Sequence, residues 1–350
     1  MGPTAPLLLS CYFLCVVVAQ SCKPLSLNTT VLGQTAPYFH SWNIDSSRDR
    51  VFFDTDFSNP KLTYLASQIP NAHIRFGGTG NDALYYLVPG AGTSCTGGEC
   101  LNTSWILDLW ELSRVSNSPI VFGVNIHPPG GSSPPKGPWD STNARALFAY
   151  LKSQNLTVFG VEIGNEQNTI MSAEDQAGAL LSLSSLLDSV YGPSSSVRPV
   201  LIGPDPHSFR DAGSSMAQQL AFIKTFVTTL GKTPLRAVTH HEYIEIDYKN
   251  VLDPKFLDTT ANIAVQVMEA VRSVNSNVEV WAGERFVCFK GATLIFCLSF
   301  SLSNTHTLSH THLHLQGKWG LITVGQCPSQ TVPRTKSVVV LAQRYGTQIQ

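Results

Sequence analysis

The sequence predicts an α/β chain built on parallel strands, and within that class a (β/α)8 TIM-type barrel that is incomplete, with about seven strands recognisable. Three observations predict it. Short apolar runs alternate with amphipathic stretches over most of the chain, the pattern of parallel strands joined by helical crossovers. Polar side chains collect where several of those runs end: Asn125, Asn165 with Glu166, Asp205, His241 with Tyr243, and Glu284. A barrel gathers such strand ends into one mouth. The third is an absence. No G-x-G-x-x-G follows the first strand and no G-x-x-x-x-G-K-[ST] occurs, so no nucleotide partner is expected and an open nucleotide-binding sheet has no support.

The candidate strands run in order "YFHSWNID" (38–45), "AHIRFGG" (72–78), "PIVFGVN" (119–125), "TVFGVEIG" (157–164), "PVLIGPD" (199–205), "AVTHHEYI" (237–244) and "VEVWAGE" (278–284). Four helical stretches lie among them. "NARALFAYLKSQ" (143–154) follows Asp140-Ser141-Thr142, a cap signal. In "SAEDQAGALLSLSSLLDSVY" (172–191), Ser172 and Asp175 have capping spacing. "MAQQLAFIKTFVTTL" (216–230) and "TTANIAVQVMEAVRSVN" (259–275) repeat apolar residues at the same period.

Composition narrows the function. The 350 residues are 43% hydrophobic and 13% charged, with a formal net charge of −1. That chain can bury a large core and carries no clustered basic excess, so no nucleic-acid partner is expected. Residues 1–20 read as a secretory signal peptide, with an apolar run from Leu7 to Ala19 and small residues at Val17 and Ala19; a signal anchor or a buried strand is the alternative. The run is shorter than the roughly 20 apolar residues a membrane span needs, so no transmembrane segment is expected. Sequons at Asn28, Asn102 and Asn155 agree with secretion, as glycosylation sites. Cys95 and Cys100, in the glycine-rich "GTSCTGGECLN", can close a short disulfide in an oxidising compartment, with a metal site the weaker alternative.

The stretch 285–350 differs from the rest. All 24 acidic residues lie at or before Glu284, and "SNTHTLSHTHLHL" resembles a low-complexity repeat. If it forms a strand, His310, His312 and His314 share a face, but no further ligand is indicated, so no metal site is expected. The break suggests a retained intron, a shifted frame or a divergent splice form. The expected organisation is therefore signal peptide 1–20, partial barrel domain 21–284 and an atypical tail 285–350.

Two carboxyl groups on distant strands are what glycoside hydrolysis requires, one to donate a proton and one to attack or to activate water. Glu166 and Glu284 each end a strand, and alternation along "VEVWAGE" places Val278, Val280, Ala282 and Glu284 on one inward side. Asn165, beside the acid, is placed to bond a sugar hydroxyl. Such a pair in a retaining enzyme lies about 5–5.5 Å apart, and the acid is expected to carry a raised pKa.

The stretches "HIRFGGTGND" (73–82), "VFGVN" (121–125), "WDSTNARALFAYL" (139–151), "VEIGNEQN" (161–168), "LIGPDP" (201–206), "AVTHHEY" (237–243) and "VWAGE" (280–284), in this order, resemble the heparanase-like glycoside hydrolases of family 79. The short cysteine loop looks more like the plant-type members. The resemblance implies a secreted, retaining β-glycosidase acting on glucuronide-containing polysaccharide or proteoglycan chains without a cofactor, with lysosomal or cell-wall and membrane association as further destinations. It implies Glu166 as acid/base, Glu284 as nucleophile, Asn165 on the sugar, and His241 and Tyr243 beside the nucleophile. Gly78, Thr79 and Asp82 would lie near the sugar. A buried core histidine is the alternative for His241, and simple packing for Tyr243. The chain departs from the family in "HHEYI", which sets Glu242 beside the site, and in keeping only Arg210 near "DPHSFRDAG". The eighth barrel strand and the C-terminal β-sandwich have no recognisable counterpart. That departure favours a rival, an inactive carbohydrate-binding or regulatory fragment; a different barrel glycosidase is the other. Expressed in a eukaryotic host, the product is expected to lose about 20 residues and to gain glycan on at least one sequon. Intact-mass measurement before and after deglycosylation checks both.

Overall fold

The computed structural model describes residues 41–46, 55–69, 71–91, 99–128, 131, 133–134, 137–207, 215–246 and 253–289. The signal stretch, Asn28, Cys95, Arg210, His310, His312 and His314 lie outside them, as does the tail beyond residue 289. Among the described residues, seven parallel strands form one sheet: β1 (Ser41–Asp45), β2 (His73–Gly77), β5 (Ile120–Val124), β6 (Gly160–Ile163), β7 (Val200–Gly203), β8 (Leu235–Ile246) and β9 (Glu279–Phe289). They are hydrogen-bonded in sequence order, so each crossover returns beside the strand it left. Two short strands, β3 (Tyr85–Leu87) and β4 (Cys100–Asn102), pair separately.

The sheet curls into a nearly closed barrel. Arg75 on β2 reaches Glu162 on β6 and Glu284 on β9, which a flat sheet would hold far apart. At the two ends of the ladder, Ser41 of β1 and Ala282 and Gly283 of β9 line one cavity of about 20 Å³ with His73 and Arg75. Among the described residues no eighth strand pairs between them.

Alternation sorts the side chains. Val161, Leu201, Val238 and Val280 face outward into the main core beneath the helices. Val121, Ile202, Ala237 and Trp281 form a small separate cluster inside the barrel. His73, Phe159 and Trp281 stack nearby, with His73 centred 4.3 Å from Phe159 and 5.6 Å from Trp281. Burial first, then Arg236, lowers the His73 pKa to about 4, so this ring is neutral at physiological pH.

Among the described residues, six α-helices cover the outside: α1 (Pro60–Ser67), α2 (Thr103–Ser116), α3 (Thr142–Ser153), α4 (Ala173–Tyr191), α5 (Met216–Leu230) and α6 (Pro254–Arg272). Their starts are capped as the sequence allows. Ser172 accepts from the Asp175 N–H, and Ser215 with Gln218 completes a capping box at α5. At α3 the cap is displaced: Asp140, rather than Ser141, accepts the Thr142 N–H at 2.9 Å. α1, α2, β3 and β4 are additions to the sequence expectation, and α6 starts at Pro254 rather than 259.

Phe122, fully buried on β5, holds strand and helix together. Its ring lies 5.0 Å from Phe76, 5.9 Å from Tyr86 and 6.2 Å from Trp110 on α2. Phe122→Ala is expected to cost about 3–5 kcal/mol, because the cavity cannot close in so dense a cluster. Chemical denaturation of the two proteins measures it.

Candidate active site

Polar groups gather at the barrel mouth, and backbone geometry aims two of them. Glu166 follows β6 with φ 55° and ψ 33°, and Asp205 follows β7 with φ 59°. A side-chain-bearing residue in this left-handed region costs about 1–2 kcal/mol, so something must hold it. The Glu166 N–H donates to the Asp205 carbonyl at 2.9 Å, and the Asp205 N–H to the Thr239 hydroxyl at 3.0 Å. The two strand ends hold one another.

Arg75 is the hub. It is 5% exposed, and its guanidinium donates to Glu162 at 2.8 Å, the Asn165 Oδ1 at 3.0 Å, Glu284 at 3.1 Å and Asp205 in a very short contact. Burial alone would lower its pKa, but Asp205, Glu162 and Glu284 hold it well above the ordinary value. An arginine in this position is a fixed cation inside the barrel.

The two sequence-predicted carboxylates meet at Tyr243. Its hydroxyl lies 2.9 Å from Glu166 Oε1 and 2.8 Å from Glu284 Oε1. The nearest carboxylate oxygens are therefore no farther apart than those two bonds laid end to end. One hydroxyl has one proton, so it donates to one carboxylate at a time. The other contact is favourable only if that carboxyl itself carries a proton. Burial, then Glu284 and Glu166, push the Tyr243 phenol well above 10, so the phenol stays protonated.

His241 is fully buried and also engaged, which joins the two alternatives the sequence left open. Nε2 lies 2.6 Å from Asp205 and Nδ1 2.8 Å from Glu166. Burial pulls its pKa down, but Asp205 and Glu284, with the hydrogen bonds to Asp205 and Glu166, raise it well above 6.5. That imidazolium corrects one expectation. The Glu166 pKa is lowered rather than raised: burial raises it, but the hydrogen bond and charge of His241, then His207 and Tyr243, outweigh burial. His207 stands 3.7 Å from the other Glu166 oxygen.

Glu284 faces inward for a reason the strand pattern hides. Val278 and Val280 point out to the helices and Trp281 points in, so plain alternation would send Glu284 outward. The register of β9 against β8 slips between His240/Ala282 and His241/Glu284, leaving Gly283 as an extra residue. This bulge turns Glu284 into the barrel. Only glycine fits there, since a Cβ would lie 2.6 Å from the Asp205 Oδ1 and 3.1 Å from Thr239.

Other expected residues have different surroundings. Asn165 is buried and spends its carbonyl on Arg75, while its amide donates to Thr79 at 3.4 Å. Thr79 is exposed at the rim. Gly78, at φ 99°, leaves room for Asp45, whose carboxylate a Cβ would overlap. Asp82 is 2% exposed and bonded inward, so it does not face a sugar. Glu242 is buried, on the strand face opposite His241 and Tyr243. Asn102 and Asn155 are exposed, and Cys100 is disulfide-bonded. Sequence reasoning passed over Arg75, Glu162 and Asp45, although a charge inside or ending an apolar strand was a readable signal. Among the described residues, no cluster of His, Cys, Asp and Glu could hold a metal, and no helix is long and apolar enough to cross a membrane.

A parallel barrel with two carboxylates close together at its mouth has the pair of groups that glycoside hydrolysis requires. The comparisons with known proteins give the family. Residues 41–303 match Glycosyl hydrolase family 79, N-terminal domain, and the chain belongs to this family. The match and β9 both run past Glu284, into what the sequence reading set apart as tail. The chain is 24% identical to the heparanase of Bos taurus over 334 residues, covering 77% of this chain and 57% of that protein. It is 23% identical to heparanase-like protein 1 of Arabidopsis thaliana over 256 residues, 65% of this chain and 45% of that protein. The chain thus spans about half the length of the curated relatives it matches. An α-L-arabinofuranosidase from Thermotoga maritima superposes with a TM-score of 0.54 at 12% identity, covering 75% of this chain and 58% of that one, and shows the same fold.

Buried carboxyls make stability depend on pH. Glu162 is raised from 4.5 to about 7, first by burial and then by Asp205. A carboxyl whose folded pKa is raised binds its proton more tightly when folded, so its contribution is present below about 4.5 and lost as pH climbs to about 7. Asp45, raised from 3.8 to about 7 by burial and then Glu284, acts in the same direction. Asp205 opposes them, since its lowered pKa stabilises at higher pH and is lost on acidification. Glu162→Gln is expected to flatten the fall of Tm between about pH 4.5 and 7, read from thermal melts across that window.

Proposed function

We propose that the chain is a retaining β-glycosidase of the heparanase type that hydrolyses glucuronide linkages in polysaccharide or proteoglycan chains. The observation that carries this is the single Tyr243 hydroxyl within 2.9 Å of both Glu166 and Glu284. That spacing suits direct attack by a carboxylate, not attack through an interposed water. Glu284 is the nucleophile: the Arg75 guanidinium donates to it and orients it for attack on the anomeric carbon. Glu166 is the acid/base. Its proton is held in the hydrogen bond to His241, and moving it from Nδ1 to Oε1 leaves a neutral imidazole and a carboxylic acid ready to protonate the leaving oxygen. Glu166, ionised again, then takes a proton from the water that frees the sugar from Glu284. The glucuronide class rests on the family and on the heparanase relatives, and secretion with glycan on Asn102 or Asn155 is part of the same reading.

One observation favours a second reading, an inactive carbohydrate-binding or regulatory fragment: Glu166 is held ionised, the weaker state for an acid. Hydrolysis of aryl β-glucuronides and aryl β-glucosides separates the readings. The expected result is glucuronide cleavage with β-configured first product by NMR. Glu284→Gln is expected to abolish turnover. Glu166→Gln should lower rates about 10²–10⁴-fold on unactivated substrates but spare dinitrophenyl leaving groups, which need no proton. Inversion would overturn the mechanism, glucoside preference the substrate class, and sugar binding without turnover would establish the fragment.

A further inference from the structure

Asp82 is buried, and both its carboxylate oxygens are taken by the two neighbours of Glu166. Oδ1 accepts the backbone N–H of Asn165 at 2.7 Å, and Oδ2 accepts the Gln167 side-chain amide at 2.8 Å. The same Gln167 amide donates to the Asn165 carbonyl at 2.8 Å, and its Oε1 lies 3.0 Å from His127 Nε2. The Asp82 carbonyl in turn accepts the N–H groups of Ile126 and His127 at 3.0 and 2.7 Å. One residue, on the turn after β2, thereby ties down the ends of β5 and β6.

Between the two gripped residues sits Glu166, at φ 55°. Left-handed backbone at a side-chain-bearing residue persists only where the surroundings over-determine it. From β6 the chain passes through Gly164, at φ 73°, directly into this turn. Without the grip, the segment would relax toward ordinary backbone angles and swing the Glu166 carboxyl away from Tyr243. We propose that Asp82 is a positioning residue, a carboxylate clamp that fixes Glu166 in its left-handed conformation and so aims it across the barrel mouth at Glu284. The inference rests on the acid/base role of Glu166 given above.

Three variants of the whole chain test it. Asp82→Ala removes both acceptors, Asp82→Asn keeps one for the Asn165 N–H, and Gln167→Leu releases one side of the grip. A clamp acting through the acid predicts that Asp82→Ala loses about 100-fold on poor leaving groups but less than about threefold on dinitrophenyl glycosides. Asp82→Asn should recover most of that loss. In a Glu166→Gln background, Asp82→Ala should add less than about threefold, since the group it positions is gone. Equal losses on both substrate classes, or full additivity with Glu166→Gln, would overturn the proposal. Should Asp82→Ala not fold, Gln167→Leu carries the same comparisons. Hydrogen exchange gives an answer independent of turnover: the Asn165 amide should exchange at least about tenfold faster in Asp82→Ala or Gln167→Leu, with Val161 unchanged. An Asn165 amide as protected as in the parent would overturn the clamp. Absence of turnover in the parent chain, by contrast, would overturn the glycosidase reading and leave the exchange result to decide on Asp82.

Discussion

The guanidinium of Arg75 is surrounded inside the barrel by Glu162, Asn165, Asp205 and Glu284, and most of the site depends on that one cation. Three of its four acceptors are carboxylates brought from β6, the end of β7 and β9. Without it, like charges would be packed together out of water, and leaving a buried ion without its partner costs about 3–5 kcal/mol. The cation also decides which way the strands' polar ends face. Asn165 spends its carbonyl oxygen on Arg75, which orients its amide toward Thr79 and the rim.

A second layer is a chain of shared protons from Asp205 through His241 to Glu166, continued by Tyr243 to Glu284. The field of this network differs from that of a lone carboxyl in an apolar pocket. Burial by itself would make Glu166 a weak acid that keeps its proton, yet the imidazolium beside it reverses the sign. In such a cluster the protonation state belongs to the group of residues more than to any one of them.

Much of the architecture was legible in the sequence because its signals are local. Apolar runs of five or so residues gave β2, β5 and β6 nearly to their ends, and the 216–230 periodicity gave α5 outright. Glu166 and Glu284 were readable as strand-ending acids. What escaped depends on contacts between strands. The Gly283 bulge breaks the two-residue period that inward and outward assignments assume, so Val278 and Val280 were placed on the wrong face. Asp82 looked like a rim residue because it stands in a glycine-rich turn, and only the fold shows β5 and β6 closing over it. The Glu166 pKa was misjudged for a similar reason: no spacing in the sequence reveals that His241 sits against it.

The Gly283 bulge has a consequence for how such sites arise and decay. Within β9, the geometry of the site depends on the bulge: the same residues laid out as a regular pleat would deliver the glutamate to the helix side of the wall. A substitution at Gly283 that flattened the bulge would thus disable the site while leaving every acid, base and hydrogen-bonding partner written in the gene. Conversely, a barrel with a glutamate on its outer wall stands one bulge from presenting it to a ligand. The glycine that permits the bulge is therefore as informative as the glutamate itself.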